Sequence, residues 1–418
     1  MRDTTSIQVF ADWKGLERPT LMGTLEVAFV RGKEVFSFEY DTDWLQTKRY
    51  QRLDPRLGLY AGKQFPAVGK RNFGLFLDSC PDRWGRFLLQ RRETIQARKQ
   101  NRNPHRLYES DYLLGVHDVQ RMGAIRFQVH DRFMDDNAEY AAPPWTSLST
   151  LEHISQQVEN DGNLTHPDYE RWLHMLLAPG SSLGGARPKA NVVDDNGQLW
   201  VAKFPSRNDT VDVGLWEGLA NQLAKDAGIQ VAESKIQRFA STEHTFLSKR
   251  FDRQQHQRIH FASAMTLLER DDGDDYSNGA SYLEMVEFIE QQGAQPKQDL
   301  MELWRRIVFS ASISNTDDHL RNHGFLLAEN GWALSPAYDL NPNPQGYGLK
   351  LNISETDNSQ DIDLLREVAP YFHLSTRETE TILSEVIDAV RKWNSLANTL
   401  GISSHQQELF EPAFRLVE

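Results

Sequence analysis

The chain has 418 residues, too many for one hydrophobic core and enough for two or three packed units. Lys plus Arg number 46 against 59 Asp plus Glu, a net charge of −13, which argues against a direct grip on DNA because that grip depends on basic surface. No apolar run is long enough for a membrane-spanning helix. The single cysteine, Cys80, excludes an intrachain disulfide and a cysteine metal cluster, as suits a reducing cytoplasm.

The start, Met1 to Ser6, leads into a strand and not into a signal-peptide hydrophobic region. Ile7–Trp13, Gly23–Phe29 and Glu34–Tyr40 alternate with period two, with a turn at Arg31-Gly32-Lys33, and predict a small antiparallel sheet. Residues 72–100 turn helical, with Asp82 as the N-cap ahead of Trp84, Phe87 and Leu88. The basic clusters at 83–86, 90–92 and 98–102 read as a solvated helix face. Pro143-Pro144 marks a boundary, followed by helices over 149–160 and 168–177. A glycine-containing loop, 179–189, precedes a hairpin of 190–193 and 199–204 around Asp194-Asp195-Asn196-Gly197. A helix over 213–227 stops at Gly228, and strands near 231–239 and 245–251 complete a small sheet. Beyond about residue 262 the pattern is mainly helical, near 280–292, 299–314, 361–370, 375–399 and 404–414. The architecture is therefore α+β, with a strand-rich N-terminal unit over 1–143, a small α+β lobe over 144–260, and a helical lobe over 261–418.

The strongest chemical pattern follows the helix at 299–314: Asn315-Thr316-Asp317-Asp318-His319-Leu320-Arg321-Asn322. An aspartate with an asparagine five positions on has the spacing of a kinase catalytic loop. The carboxylate of Asp317 would orient and deprotonate a hydroxyl, and the amide oxygen of Asn322 would suit a hard cation. Asp339, after a hairpin of 324–327 and 332–334, stands where kinases place a second Mg²⁺ ligand. The plain alternative is a polar loop with capping duties, and the later Asp339 weighs against it. His319 with His323 at i+4 on a loop makes a poor transition-metal site.

Upstream, small residues at 181–186 would let backbone N–H groups approach phosphate. Lys203 ends a strand as the phosphate-holding lysine of kinases does, and Glu217 in the next helix could pair with it or be simple surface charge.

Four ordered segments then become specific: Ser182-Leu183-Gly184-Gly185-Ala186-Arg187-Pro188-Lys189, Lys249-Arg250-Phe251-Asp252-Arg253, the loop 315–322, and Tyr338-Asp339-Leu340-Asn341-Pro342. With the run Phe73–Arg86, they resemble the successive signatures of HipA-family serine/threonine kinase toxins over nearly the whole chain. Arg187-Pro188 in the loop suits a divergent branch of that family. The resemblance implies a bilobal kinase-like fold whose C-lobe is all-helical. It implies Asp317 as the catalytic residue, Asn322 and Asp339 as Mg²⁺ ligands, and Lys203 on the phosphates of ATP. It places Lys249 and Phe251 at the adenine hinge, His319, Arg321 and Tyr338 near the nucleotide, and Gly184, Gly185, Ala186 and Lys189 in the phosphate loop. Ser182, or its neighbour Ser181, matches an autophosphorylated serine whose modification turns the enzyme off. The implied partners are a protein substrate, such as an aminoacyl-tRNA synthetase or another translation factor, and a helix-turn-helix antitoxin through which DNA is met only indirectly. No membrane partner is expected. Two other readings stay open: a lipid or small-molecule kinase, and a catalytically weak binding or co-repressor module.

Overall fold

The computed structural model describes residues 4–47, 52–134, 143–177, 185–255 and 257–417. The N-terminal alternation becomes an antiparallel sheet of β1 (Thr5–Ala11), β2 (Thr20–Val30) and β3 (Lys33–Tyr40). Ile7 pairs with Leu25, and Leu25 with Phe38, so the apolar residues of three strands share one buried face. Gly23 is required where β2 meets β3, since a Cβ there would lie 2.2 Å from the carbonyl oxygen of Glu39. Four helices follow, the third of them long: α1 (Thr42–Gln46), α2 (Gly74–Leu77), α3 (Arg83–Lys99) and α4 (Glu109–Leu114). Asp82 caps α3 as its sequence position predicts, its Oδ1 accepting from the N–H of Gly85 at 2.7 Å. The basic residues of α3 are partly tied down, with Arg86 forming a two-pronged bond to Glu109 at 3.0 and 2.7 Å. Two strands that the sequence reading does not anticipate, β4 (Ile125–Val129) and β5 (Arg132–Phe133), complete the sheet in the order β3-β2-β1-β4-β5. They are too short to carry a period of their own, and β4 is defined by its pairing with β1.

Helices α5 (Leu148–Glu159) and α6 (Tyr169–Leu177) lead to the antiparallel hairpin of β6 (Lys189–Val193) and β7 (Leu199–Lys203). Next come α7 (Val213–Asp226), the antiparallel pair β8 (Ser234–Arg238) and β9 (His244–Lys249), and the small strands β10 (Arg253–Gln254), β11 (Gln257–Arg258) and β12 (Phe261–Ser263). Gly228 takes φ +78° just past α7, and Ile229 N–H closes back on the carbonyl of Ala224 at 3.0 Å, the left-handed stop that its position predicts.

The rest is α8 (Ala264–Leu267), α9 (Tyr282–Gln292), α10 (Pro296–Ser312), the hairpin β13 (Gly324–Ala328) and β14 (Gly331–Leu334), then α11 (Ile362–Val368), α12 (Thr376–Val390), α13 (Trp393–Leu400) and α14 (Ser404–Phe410). The periodicity of 375–399 reads as one helix, but the chain turns at Arg391-Lys392. The turn lets Trp393 stack on Phe414 at a ring separation of 4.3 Å. The last part is thus helical apart from the expected β13–β14 hairpin and the short β12.

The chain forms two compact units. One is Met1–Asn208 with Phe239–Thr242 and Asp252–Ala262; the other is Asp209–Arg238 with Glu243–Phe251 and Ser263–Glu418. The Pro143-Pro144 boundary of the sequence falls inside the first. Within the second, α7 is anchored by Trp216 stacked on Phe410 at 3.9 Å and by a hydrogen bond from its Nε1 to Gln406. Among the described residues no helix is long and apolar enough to cross a membrane.

Candidate active site

In the second unit, α10 ends in a Schellman motif. Ser314 takes the left-handed position at φ +50°, and Asn315 N–H bonds back to the carbonyl of Ser310 at 2.8 Å. A serine without glycine's freedom is held there by its surroundings: its Oγ donates to the carbonyl of Ala413 at 2.8 Å, and its own carbonyl accepts from Thr316 and Asn343. The loop that follows is therefore launched from a fixed point.

Along that loop the two adjacent aspartates part company. Asp317 is exposed, whereas Asp318 is buried at 3% exposure. The carbonyl of Asp317 accepts twice, from His319 N–H at 2.9 Å and from Asn322 Nδ2 at 3.1 Å. That second bond fixes the rotamer of Asn322 and leaves its Oδ1 buried without a hydrogen-bond partner. An unpartnered amide oxygen costs free energy unless something else meets it. A hard divalent cation would take such a donor together with a carboxylate, so the residues fit Mg²⁺. Among the described residues, no group of three or more His, Cys, Asp or Glu side chains converges on a metal position, so substrate oxygens and water would complete the coordination.

Asp339 lies beyond β14 and is half-buried, with φ +60°. A non-glycine residue in that region usually marks a constraint imposed by its surroundings. The approach to it is pinned, since Ala337 N–H donates to the carbonyl of Gln230 at 2.7 Å and Arg306 donates to that of Ser335 at 2.8 Å. Tyr338 OH donates to the carbonyl of Arg321 at 2.7 Å. Tyr338 precedes Asp339 and Arg321 precedes Asn322, so this single bond ties together the backbones that carry the two candidate Mg²⁺ ligands.

Phe251, just past β9, meets the ring of Tyr338 with centroids 5.5 Å apart. Phe251, expected at the hinge, and the segment at Asp339 are thus one aromatic contact apart. Lys249 points elsewhere: its Nζ sits 3.3 Å from Glu233, both partly exposed, while its N–H donates to the carbonyl of Glu233 at 2.8 Å. Arg321 reaches Asp272 at 3.7 Å, and His319 is half-buried. Glu217 is buried at 3% exposure within α7, which removes the alternative of a simple surface charge.

The remaining sequence candidates lie in the first unit, and Ser181, Ser182 and Gly184 fall outside the described residues. Gly185 and Ala186 are exposed, Gly185 at φ +85°. Lys203 is half-buried and stands directly across the hairpin from Lys189. Lys189 is buried in an ion pair. It is 1% exposed, and its Nζ lies 2.7 Å from Asp82 Oδ2 and 3.3 Å from the carbonyl of Gly185. Its own carbonyl accepts from the indole N–H of Trp84 at 3.0 Å.

Sequence reasoning missed the surroundings of Asp318. Tyr282 OH and Ser310 Oγ both reach Asp318 Oδ2, at 2.7 and 3.1 Å, and His323 Nε2 lies 2.9 Å from Oδ1. Burial alone would raise the Asp318 pKa, but His323 and the two hydroxyl donors outweigh it and hold the group below the usual carboxylate range. Burial, and then the neighbouring carboxylate, push the Tyr282 hydroxyl well above its ordinary value, so it stays a donor. The available signal was the doubled aspartate itself: two carboxylates in a row on one loop seldom face the same way.

A putative kinase of Haemophilus influenzae is 28% identical over 178 residues, covering 38% of this chain and 52% of its own. Toxin YjjJ of Escherichia coli is 29% identical over 208 residues, covering 46% of this chain and 45% of its own. The chain spans about half the length of these curated relatives. A solved Shewanella oneidensis HipA, in complex with HipB and operator DNA, superposes with a TM-score of 0.67 over 98% of this chain and 95% of its own, at 16% identity, which is a likeness of fold. Residues 181–393, more than half of the 418, match the model of the HipA-like C-terminal domain, and the chain belongs to that family.

Proposed function

We propose that this chain is a kinase that uses Mg²⁺ and ATP to phosphorylate a serine or threonine hydroxyl on another protein, and that it acts as a toxin restrained by an antitoxin. The observation that carries the reading is the pairing of an exposed Asp317 with a buried Asn322 whose Oδ1 lacks a partner, joined through the Asp317 carbonyl. Mg²⁺, when bound, would neutralise charge building on the transferred phosphoryl group. Asn322 and Asp339 would hold it. Asp317 would accept the hydroxyl proton as the new oxygen–phosphorus bond forms and the bond from the γ-phosphorus to the β–γ bridging oxygen breaks, ADP leaving with that oxygen. Phe251 and Tyr338 would flank the adenine, with His319 and Arg321 nearby. Lys203 would meet the phosphates, and Gly184, Gly185 and Ala186 would line them.

Autophosphorylation at Ser182 or Ser181 would place roughly −1.5 to −2 charges beside the phosphates of ATP and switch the enzyme off. The solved relative is a complex with HipB and operator DNA, and a DNA-binding antitoxin is the corresponding partner proposed here. Label transfer from γ-labelled ATP with Mg²⁺, by wild type and by Asp317→Ala, tests the reading. We expect label on protein serine or threonine in wild type and none in the variant. Equal labelling by both proteins overturns it. Phosphoproteomics after induced expression would then name the substrate.

A further inference from the structure

We propose that Asp318, the buried neighbour of Asp317, is a positioning residue that holds the catalytic loop in its working shape through His323, Tyr282 and Ser310. This rests on the kinase reading above and extends it to residues that make no contact with substrate.

The geometry supports the role at every connection. Asp318 sits near the start of the loop and His323 at its end, and their side chains meet at 2.9 Å. The intervening residues, which include Asn322, are therefore closed off by one buried contact. The other carboxylate oxygen takes hydroxyl donors from two separate helices, Tyr282 of α9 at 2.7 Å and Ser310 of α10 at 3.1 Å. Asn315 Nδ2 reaches the same Ser310 hydroxyl at 3.4 Å, bringing in the residue that completes the Schellman turn. The rings of Tyr282 and His323 meet edge to face at 5.7 Å. Asp318, His323, Tyr282 and Ser310 are all at most 4% exposed, so the two hydroxyl bonds and the close approach of His323 are shielded from water.

The consequence for Asp317 is direct. With the Asp318 side chain held inward, the neighbouring side chain is turned to solvent. The carbonyl of Asp317 remains where His319 N–H and Asn322 Nδ2 both reach it. The distance from base to metal ligand is thus set from beneath the loop by a group that never touches the reaction. A misplacement of about 1 Å at a reacting group costs on the order of 10²-fold in rate.

The test is Asp318→Asn, which keeps the shape and removes the charge, with Tyr282→Phe as a milder variant that keeps the ring against His323. Steady-state transfer from ATP to a degenerate serine and threonine peptide library gives kcat and the KM for ATP. Amide exchange over 315–323 in nucleotide-free protein gives a readout independent of turnover. We expect kcat to fall about 10–100-fold in Asp318→Asn and about 3–10-fold in Tyr282→Phe, with KM for ATP within about threefold of wild type and faster exchange confined to the loop. Wild-type kcat in folded Asp318→Asn and folded Tyr282→Phe overturns the proposal. So does a parallel fall of kcat, ATP affinity and melting temperature in both, which marks a merely structural role. Asp317→Ala separates the two readings. If it transfers as well as wild type, the catalytic assignment of Asp317 falls and the positioning role with it; if it is dead while Asp318→Asn is fully active, only the positioning role falls.

Discussion

In the second unit Asp317 is exposed and Asp318, one residue on, is buried. In the first unit Lys203 is half-buried and Lys189, directly across the hairpin, is wholly buried. Both regions thus carry a pair of like charges of which one is taken into the protein and given a partner. Asp318 receives His323, Tyr282 and Ser310; Lys189 receives Asp82. Like charges opposite one another on a hairpin repel. Asp82 offsets that repulsion, while the hydroxyl donors and His323 around Asp318 keep the buried carboxylate charged. A motif lists four charged residues in these places, and burial sorts them into two that are proposed for chemistry and two that support it.

The largest expected effect falls on the exposed member of the aspartate pair. Asp317→Ala should lower transfer by about 10²–10⁴-fold, the range of a lost general base, while the melting temperature stays near that of wild type. Asp339→Ala should lower Mg²⁺-dependent transfer by a comparable factor, and Mn²⁺ binding in the presence of ADP, read by electron paramagnetic resonance, should weaken with it. Retained transfer in either folded variant would break the assignment at that residue.

The buried lysine should respond in the opposite way. Lys189→Met removes the buried cation beside Asp82, in a site where both side chains are 1% exposed, a loss of about 3–5 kcal/mol of stability. Asp82→Asn in the same chain removes the matching carboxylate charge yet keeps an oxygen to cap α3 at Gly85, so the double variant should recover much of the loss. Chemical unfolding of the single and double variants decides it. If Lys189→Met keeps wild-type stability and loses ATP binding, Lys189 is a phosphate ligand after all and the contrast with Lys203 disappears.

Lys203→Met should do what Lys189→Met does not. Losing one charge-assisted contact to phosphate should raise the KM for ATP about 10–100-fold with little change in melting temperature.

How much of this could be read from the sequence follows the same division. The spacing from Asp317 to Asn322, the Asp82 cap and the Gly228 stop are local, and local rules find them, while the signature segments are legible through the resemblance to HipA kinases. The Lys189–Asp82 pair joins residues 107 apart, and Tyr282–Asp318 joins residues 36 apart, so no window of sequence contains either. Strands β4 and β5 were missed for the same reason, since β4 is a strand through its partner β1. The resemblance to HipA kinases implies a place for Lys189 in the phosphate loop; its burial against Asp82 is visible only in the structure.

The smallest effect is expected at Lys249, and it refines the reading of the hinge. The resemblance to HipA kinases places this residue beside the adenine, and a charged side chain there invites an electrostatic role. The geometry gives both the N–H and the side chain of Lys249 to Glu233. The Lys249 N–H is already spent on the carbonyl of Glu233 at 2.8 Å, and its side chain pairs with Glu233 at 3.3 Å, with side-chain exposures of 33% and 57%. Exposed pairs of this kind are worth about 0–1 kcal/mol and are screened by salt. Lys249→Ala should therefore change ATP affinity by less than about fivefold, and raised salt should narrow the gap. Phe251→Ala, which removes the ring facing Tyr338, should cost more than Lys249→Ala in the same titration. A loss in Lys249→Ala larger than that in Phe251→Ala would show that the lysine side chain itself meets the nucleotide, and the hinge would have to be redrawn around it.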